Sequence, residues 1–208
     1  MAVITISRQS GSGGNEVARI LCERLGYHLF DKSLMSQLAE QVNAEPNIND
    51  EIPEQTNKTS VFLERLLNPL HGLSSESHEP RKEISENQPL TLTQIHDLVM
   101  AAYKLDNVVI VGRGSQIVLA GQPGTLHVRV IAPLEARVRT WQARENLSSK
   151  DAQKIALERD KAHEDFVKSF FDADIRDASH YDLVINTSRI TPAAAAEIII
   201  QALKGIPA

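Results

Sequence analysis

Only one cysteine, Cys22, occurs in 208 residues. That excludes an intramolecular disulfide and a cysteine-based zinc site, and Cys22 reads as a packing residue on an apolar helix face. No apolar run approaches the ~18 residues of a membrane span. The N-terminus opens as a strand instead of a charged stretch followed by an apolar one, so no signal peptide is expected and the chain reads as cytoplasmic. Positive charge is also short. Lys and Arg number 22 against 27 Asp and Glu, a net charge of −5, which argues against general nucleic-acid binding while leaving room for local phosphate sites. The seven histidines show no metal-ligand spacing, no nucleophile elbow or Ser-His-Asp set can be picked out, and no acidic residue closes a strand as a magnesium ligand would. The metal ligands are therefore unknown. There is no internal repeat and no low-complexity tract.

The most telling absence is a lysine. Val3 to Ser7 is a short β-branched run, the mark of a buried strand. Arg8-Gln9-Ser10-Gly11-Ser12-Gly13-Gly14-Asn15-Glu16 follows, and then a helix begins with Val17, Ile20, Leu21 and Leu25 at helical spacing and Gly26 as its C-terminal cap. Strand, glycine-rich turn, helix is the order a phosphate-binding loop needs, because N–H groups at a helix N-terminus point at the anion and glycines allow close approach. A full P-loop reads G-x-x-x-x-G-K-[ST], and here Gly14 stands where the lysine would be. The phosphate ligands expected are the N–H groups from Gly11 to Glu16, helped by the Ser10 and Ser12 hydroxyls. Arg8, at the mouth of the loop, is either the substitute cation or an arginine in a structural ion pair.

With 42% hydrophobic residues the chain can fill a real core, and its length suits one α/β domain with a small insertion. His28 to Phe30 reads as a short strand, and Asp31 as a helix cap or a base or ribose contact. Between 45 and 90 five of the nine prolines fall among many polar residues, with only Val61 to Leu67 looking helical; such a stretch is expected to be an inserted flap. Order resumes with a capping box at Thr91 and Gln94 and a helix to about Leu105. Val108 to Val111 and Leu126 to Ile131 read as strands. A helix from Pro133 to Arg144 and a charged helix from Ser148 to about His163 follow, then a strand at Leu183 to Ile185 and a helix opened by Thr191 and Pro192. Alternating strands and helices predict a parallel sheet covered on both faces, with ligands at the carboxyl ends of the strands. There lies a second glycine-rich exit, Gly112-Arg113-Gly114, whose arginine can present a planar fork to phosphate or close a salt bridge. The segment 137–176 holds nine of the 22 basic residues, as a solvated helix pair laced with ion pairs or as a lid over a triphosphate.

Taken together, Ile4-Thr5-Ile6-Ser7-Arg8, Gly11-Ser12-Gly13-Gly14, Phe30-Asp31-Lys32, Gly112-Arg113-Gly114, Ala132-Pro133-Leu134-Glu135-Ala136-Arg137 and Tyr181-Asp182-Leu183-Val184-Ile185-Asn186-Thr187 resemble the cytidylate kinase-like family, a divergent branch of the P-loop nucleoside monophosphate kinases. The resemblance spans nearly the whole chain and is weakest in the flap. It implies a single P-loop domain over 1–208, a three-layer α/β/α with a parallel sheet, a monophosphate-binding flap at 45–90 and a helical lid at 137–176. It implies ATP with Mg²⁺ as donor and CMP or dCMP as acceptor, with Arg113 on the acceptor and Arg139, Arg144 and Arg159, by position, as transition-state arginines. Small nucleotides are then the partners. The S-R-x-x-G-S-G-G loop without lysine is common in this branch, whereas Gly114 replaces the Asp that follows the arginine in true cytidylate kinases. A nucleotide-binding regulatory protein without transfer activity is the other reading of the missing lysine.

Overall fold

The computed structural model describes residues 2–43 and 90–207. Five parallel strands, β1 (Val3–Arg8), β2 (His28–Phe30), β3 (Val108–Val111), β4 (Thr125–Ile131) and β5 (Leu183–Asn186), form one sheet in the order β2-β3-β1-β4-β5. β1 lies in the middle, Ile4 facing Val109 on one side and Leu126 on the other. The described helices are α1 (Gly14–Leu25), α2 (Lys32–Asn43), α3 (Leu92–Leu105), the single turn α4 (Ser115–Val118), α5 (Leu134–Glu145), α6 (Ser149–Phe171) and α7 (Pro192–Leu203).

The period-two alternation of β1 divides the interior. Ile4 and Ile6 point to one face, where Val17, Leu21, Ala195 and Ile199 of α1 and α7 meet them with Val128 and Val130. Val3 points to the other, where Leu38, Ile95, Val99 and Ala102 of α2 and α3 pack against Phe30, Val108 and Ile110. The result is three layers, helix, sheet, helix, as a P-loop α/β fold requires. Cys22 packs at the edge of the α1 face, and burial pushes its thiol up to about 12, as suits an unreactive packing residue. Thr5 and Ser7 share the face of Val3, opposite His127 and Arg129 of β4. That face turns polar toward the carboxyl ends of the strands.

The local signals act as the sequence predicts. Thr91 and Gln94 close a reciprocal capping box, Gly26 caps α1 with φ +69°, and the Thr191 hydroxyl accepts the Ala194 N–H ahead of Pro192. Two elements differ. α6 runs to Phe171, eight residues past its expected end, and α4 was not expected at all. The flap at 45–90, with the helix expected at Val61 to Leu67, lies outside the described residues apart from Leu90. No helix of the described residues is long and apolar enough to cross a membrane.

Candidate active site

The loop after β1 is a wound strand-to-helix turn. Gly11 and Gly13 hold φ +84° and +81°, the left-handed region that glycine enters without strain. Thr187 Oγ1 donates to the Ser12 carbonyl at 2.6 Å, and Gln9 Oε1 accepts the Ala132 N–H at 3.0 Å, tying the loop to the ends of β4 and β5. Ser12 N–H bonds Gln9 O and Val17 N–H bonds Gly13 O, but no protein acceptor takes the N–H groups of Gly11, Gly13, Gly14, Asn15 or Glu16 among the described residues. These are the unsatisfied donors of a helix N-terminus and a nest, a ready anion site.

The two serines differ. Ser12 is buried with its hydroxyl between the carbonyls of Gln9 (2.8 Å) and Val130 (3.1 Å), so it supports the loop from behind. Ser10 Oγ accepts from Trp141 Nε1 at 3.1 Å and keeps its own proton available. The Glu16 carboxylate pairs with Arg19 on the surface, held low by that bond.

Counting back from Gly13 in the P-loop pattern, the first glycine falls at Arg8, the lysine at Gly14 and the Ser/Thr at Asn15. A Cβ on Gly14 would stand 2.5 Å from Arg8 Cβ and 3.0 Å from Arg8 Cγ. Glycine and cation have changed places across one contact. From there Arg8 Nε donates to Asn15 Oδ1 at 2.9 Å, and Nη1 lies against the Gly112 backbone. Burial lowers the Arg8 pKa, Asp31 opposes that shift, and Arg113 adds to it. Asp31 itself accepts the Leu34 N–H at 3.1 Å, capping α2 while its charge faces Arg8.

Behind Gly112 the chain makes three successive left-handed residues, Gly112, Arg113 and Gly114, at φ +79°, +57° and +68°. An arginine in this region is a strained choice that the two glycines make reachable. Its guanidinium lies 5.6 Å from the Phe166 ring centroid, its Nε is buried without a partner, and burial lowers its pKa.

α6 crosses over both exits. Asp160 accepts the Ser10 N–H at 2.7 Å and Arg137 Nη1 at 2.5 Å; Arg137, itself buried, also donates to Ala132 O and lies within 3.2 Å of Ser10 O. Phe171 fills the space beside Gly114, where a Cβ would meet its ring at 2.2 Å. His163 sits beside Gly112, its pKa pushed down to about 4 by burial and by Arg8, Arg129 and Arg113. Arg129, 6% exposed, donates from Nη1 to Ser7 Oγ at 2.8 Å and to Tyr181 OH at 3.3 Å.

The loop residues 10–16, Arg8, Arg113 and Asp31 are thus brought to one edge of the sheet. The other expected arginines are elsewhere: Arg159 and Arg144 stack on Trp141, at 4.4 and 5.3 Å, and Arg139 is exposed on α5. Lys154 and Lys161 pair with Glu158 and Asp165 on the outside of α6, the solvated arrangement. The sequence reading gives no role to Arg129, Asp160 or His163, and it names Arg137 and Tyr181 only as members of the motifs that carry the resemblance and, for Arg137, as the start of the basic segment. Arg129 had a signal, since His127 and Arg129 alternate with Leu126, Val128 and Val130 in an otherwise apolar strand.

The cytidylate kinase-like family model matches residues 3–189. Among curated proteins, the cytidylate kinase of Methanopyrus kandleri is 27% identical over 90% of this chain and 85% of its own length. That of Sulfolobus acidocaldarius is 26% identical over 95% and 91%. A solved structure of an uncharacterized protein from Eubacterium ventriosum superposes with a TM-score of 0.70 at 17% identity, covering 98% of this chain and 99% of that one, which shows the shared fold. With a P-loop exit, a second arginine-bearing exit beside it and a match across nearly its whole length, the chain belongs to the cytidylate kinase-like family.

Proposed function

We propose that this chain is a phosphotransferase that moves the γ-phosphoryl group of ATP to a nucleoside monophosphate, CMP or dCMP by kinship. The observation that carries the reading is the exchange at the loop. The lysine is absent from position 14, but a cation returns at Arg8, on the other side of the same contact and beside five free loop amides. Phosphoryl transfer asks a protein chiefly for positioning and charge stabilisation. The amides of Gly11 and Gly13 to Glu16 hold the donor's phosphates, Arg8 supplies the charge that follows the transferred group, and Arg113 meets the acceptor. The stretch 45–90 serves as the acceptor flap and 137–176 as the lid, which excludes water and brings in Arg139, Arg144 and Arg159.

Magnesium belongs to the donor complex in this reading. The position that gives a P-loop its Mg²⁺ hydroxyl is Asn15, whose Oδ1 already accepts from Arg8. Among the described residues no three His, Cys, Asp or Glu side chains converge on a cation site. Among the described residues the donor set does not fit a Mg²⁺ ion held by protein side chains alone.

The test is chromatographic detection of phosphoryl transfer from Mg-ATP to a panel of nucleoside monophosphates. A diphosphate product from CMP or dCMP supports the reading, and a product from another acceptor corrects the substrate. Tight ATP binding with no acceptor-dependent ADP from folded protein replaces it with the regulatory one.

A further inference from the structure

The side-chain oxygens around the loop are engaged with the protein itself. Asn15 stands where the P-loop pattern has its metal-binding hydroxyl, and its Oδ1 accepts from Arg8 Nε at 2.9 Å. The Ser12 hydroxyl is turned inward, between the carbonyls of Gln9 and Val130. Asp160 accepts the Ser10 N–H on Oδ1 and Arg137 Nη1 on Oδ2, at 2.7 and 2.5 Å. Both oxygens of Glu16 accept from Arg19 on the surface. Asp31 Oδ1 accepts the Leu34 N–H. Of these carboxylates only Asp31 keeps an oxygen without a bond among the described residues, and its charge already acts on Arg8. A small divalent ion that needs oxygens in a near-octahedral set finds few here.

A permanent cation stands in the same place. Arg8 leaves the end of β1 and lies across the first turn of α1, with its Cβ 2.5 Å from where a Gly14 Cβ would be. Asn15 fixes Nε, and Nη1 lies against Gly112. Among the described residues neither Nη nitrogen makes a hydrogen bond, and the amides of Gly13 to Glu16 next to them have no acceptor. A guanidinium is a planar fork that takes two oxygens of a phosphate chain at once, which an ammonium does not. A metal carried by a triphosphate also bridges two phosphate oxygens. The two cations would compete for the same oxygens and repel each other, and only the guanidinium is tethered to the protein.

We infer that Arg8, positioned by Asn15, stands in for both the lysine and the metal contact of a P-loop, so that the loop takes the phosphate chain of a nucleoside triphosphate as the metal-free anion. Magnesium then adds nothing to affinity at this loop. The inference rests on the reading that the loop holds the donor's phosphates and is independent of whether transfer follows.

The experiment is calorimetric titration of the full chain with ATP, once in EDTA and once in excess Mg²⁺, at one ionic strength because exposed charges are screened by salt. The wild type is expected to bind ATP in EDTA at least as tightly as in Mg²⁺. Arg8→Ala is expected to raise the Kd in EDTA about ten- to a hundredfold, the worth of one charge-assisted hydrogen bond, and Mg²⁺ is expected to recover most of that loss. Asn15→Ala should move both quantities the same way by less. Weaker wild-type binding in EDTA than in Mg²⁺ overturns the inference. An Arg8→Ala loss that is equal with and without Mg²⁺ overturns it too, because a merely structural role would be blind to the metal. If Arg8→Ala does not fold, the wild-type comparison decides. Wild-type binding tightened by Mg²⁺ leaves the transfer reading standing, whereas no ATP binding in either condition brings down the loop reading and this inference together.

Discussion

The Arg8 side chain occupies the space into which any side chain at Gly14 would have to grow, with 2.5 Å between Arg8 Cβ and a Cβ built on Gly14. Real Cβ atoms do not approach so closely, so the two positions cannot both carry side chains without rearrangement. Gly14 is the first residue of α1, where alanine would ordinarily gain at most the ~0.8–1 kcal/mol it gains over glycine in a helix interior. Here the clash with the Arg8 stem, of the overpacking kind that costs about 1–3 kcal/mol, outweighs that gain. G14A and G14K are expected to lower the unfolding midpoint in urea. The double variant R8G/G14K, which rewrites the loop in the usual P-loop order, is expected to recover both stability and whatever turnover R8G alone removes. Equal loss in single and double variants would mean that the two positions do not share one task.

Phe171 stands to Gly114 as Arg8 stands to Gly14. A methyl at 114 would lie 2.2 Å from the Phe171 ring, on a backbone at φ +68° where L side chains are strained. G114A is therefore expected to destabilise by about 1–3 kcal/mol and to loosen the C-terminal turn of α6. F171A should relieve the steric part and leave the backbone part. A double-mutant cycle in urea checks this, with a coupling energy near zero counting against the contact.

The fold was legible because its signals are local. Buried parallel strands announce themselves as β-branched runs at Val3 and Val108, whereas the similar run at Leu183, expected to be buried too, is the edge strand β5, where only Ile185 is buried and Val184 is 47% exposed; caps at Thr91, Gly26 and Thr191 are decided by single side chains or a single φ. The loop too could be read, since glycines at 11 and 13 have few other uses after a buried strand. What could not be read is tertiary. α6 continues past His163 because Phe166 and Phe171 pack against Arg113 and Gly114, some fifty residues away in sequence. Asp160 resembles its neighbours on a charged helix, yet it bonds across to Arg137 and the Ser10 amide instead of along α6. No spacing rule on one helix shows that.

Asp160 holds the loop and α5 together from a largely buried position, its side chain 16% exposed against 6% for Arg137. Removing one partner of a buried pair leaves the other uncompensated, at about 3–5 kcal/mol. D160A also strips the Ser10 N–H of its acceptor. D160A is expected to unfold at markedly lower urea and to increase hydrogen exchange at Ser10 and along 149–171 before global unfolding. D160N, which keeps an oxygen for Ser10 N–H but loses the charge, should fall between. Exchange unchanged in 149–171 would show that α6 is held by its aromatic end alone.

His163 makes stability depend on pH in a defined window. Its pKa is pushed to about 4 in the fold, by burial first and then by Arg8, Arg129 and Arg113, against an ordinary 6.5, while a bond to the Arg8 backbone works the other way. Between those values the unfolded chain binds more protons than the folded one, so stability rises with pH there and falls as pH drops from 6.5 toward 4. The full loss amounts to about 3 kcal/mol at 1.36 kcal/mol per unit. H163Q is expected to flatten the profile over this window, leaving the carboxylates to govern what remains below it. An unchanged slope in H163Q would assign the acid sensitivity to other groups.

Trp141, the one tryptophan of the chain, reports on the loop directly. Its indole N–H bonds Ser10 Oγ, its edge lies against Gly11, and its faces carry the guanidinium groups of Arg159 and Arg144 at 4.4 and 5.3 Å. An exposed cation–π contact is worth about 0.5–1 kcal/mol, and a hydrogen bond from a charged group to phosphate about 1.5–3 kcal/mol. A triphosphate on the loop therefore wins either arginine from the indole within reach of its oxygens. Titration with Mg-ATP is expected to change Trp141 emission with the binding isotherm measured by calorimetry. R159A and R144A should alter the emission before any nucleotide is added and lower turnover by orders of magnitude. ATP binding that saturates by calorimetry with no change in emission would mean that both arginines stay on Trp141, and the transition-state charge would then fall to Arg8 and Arg139.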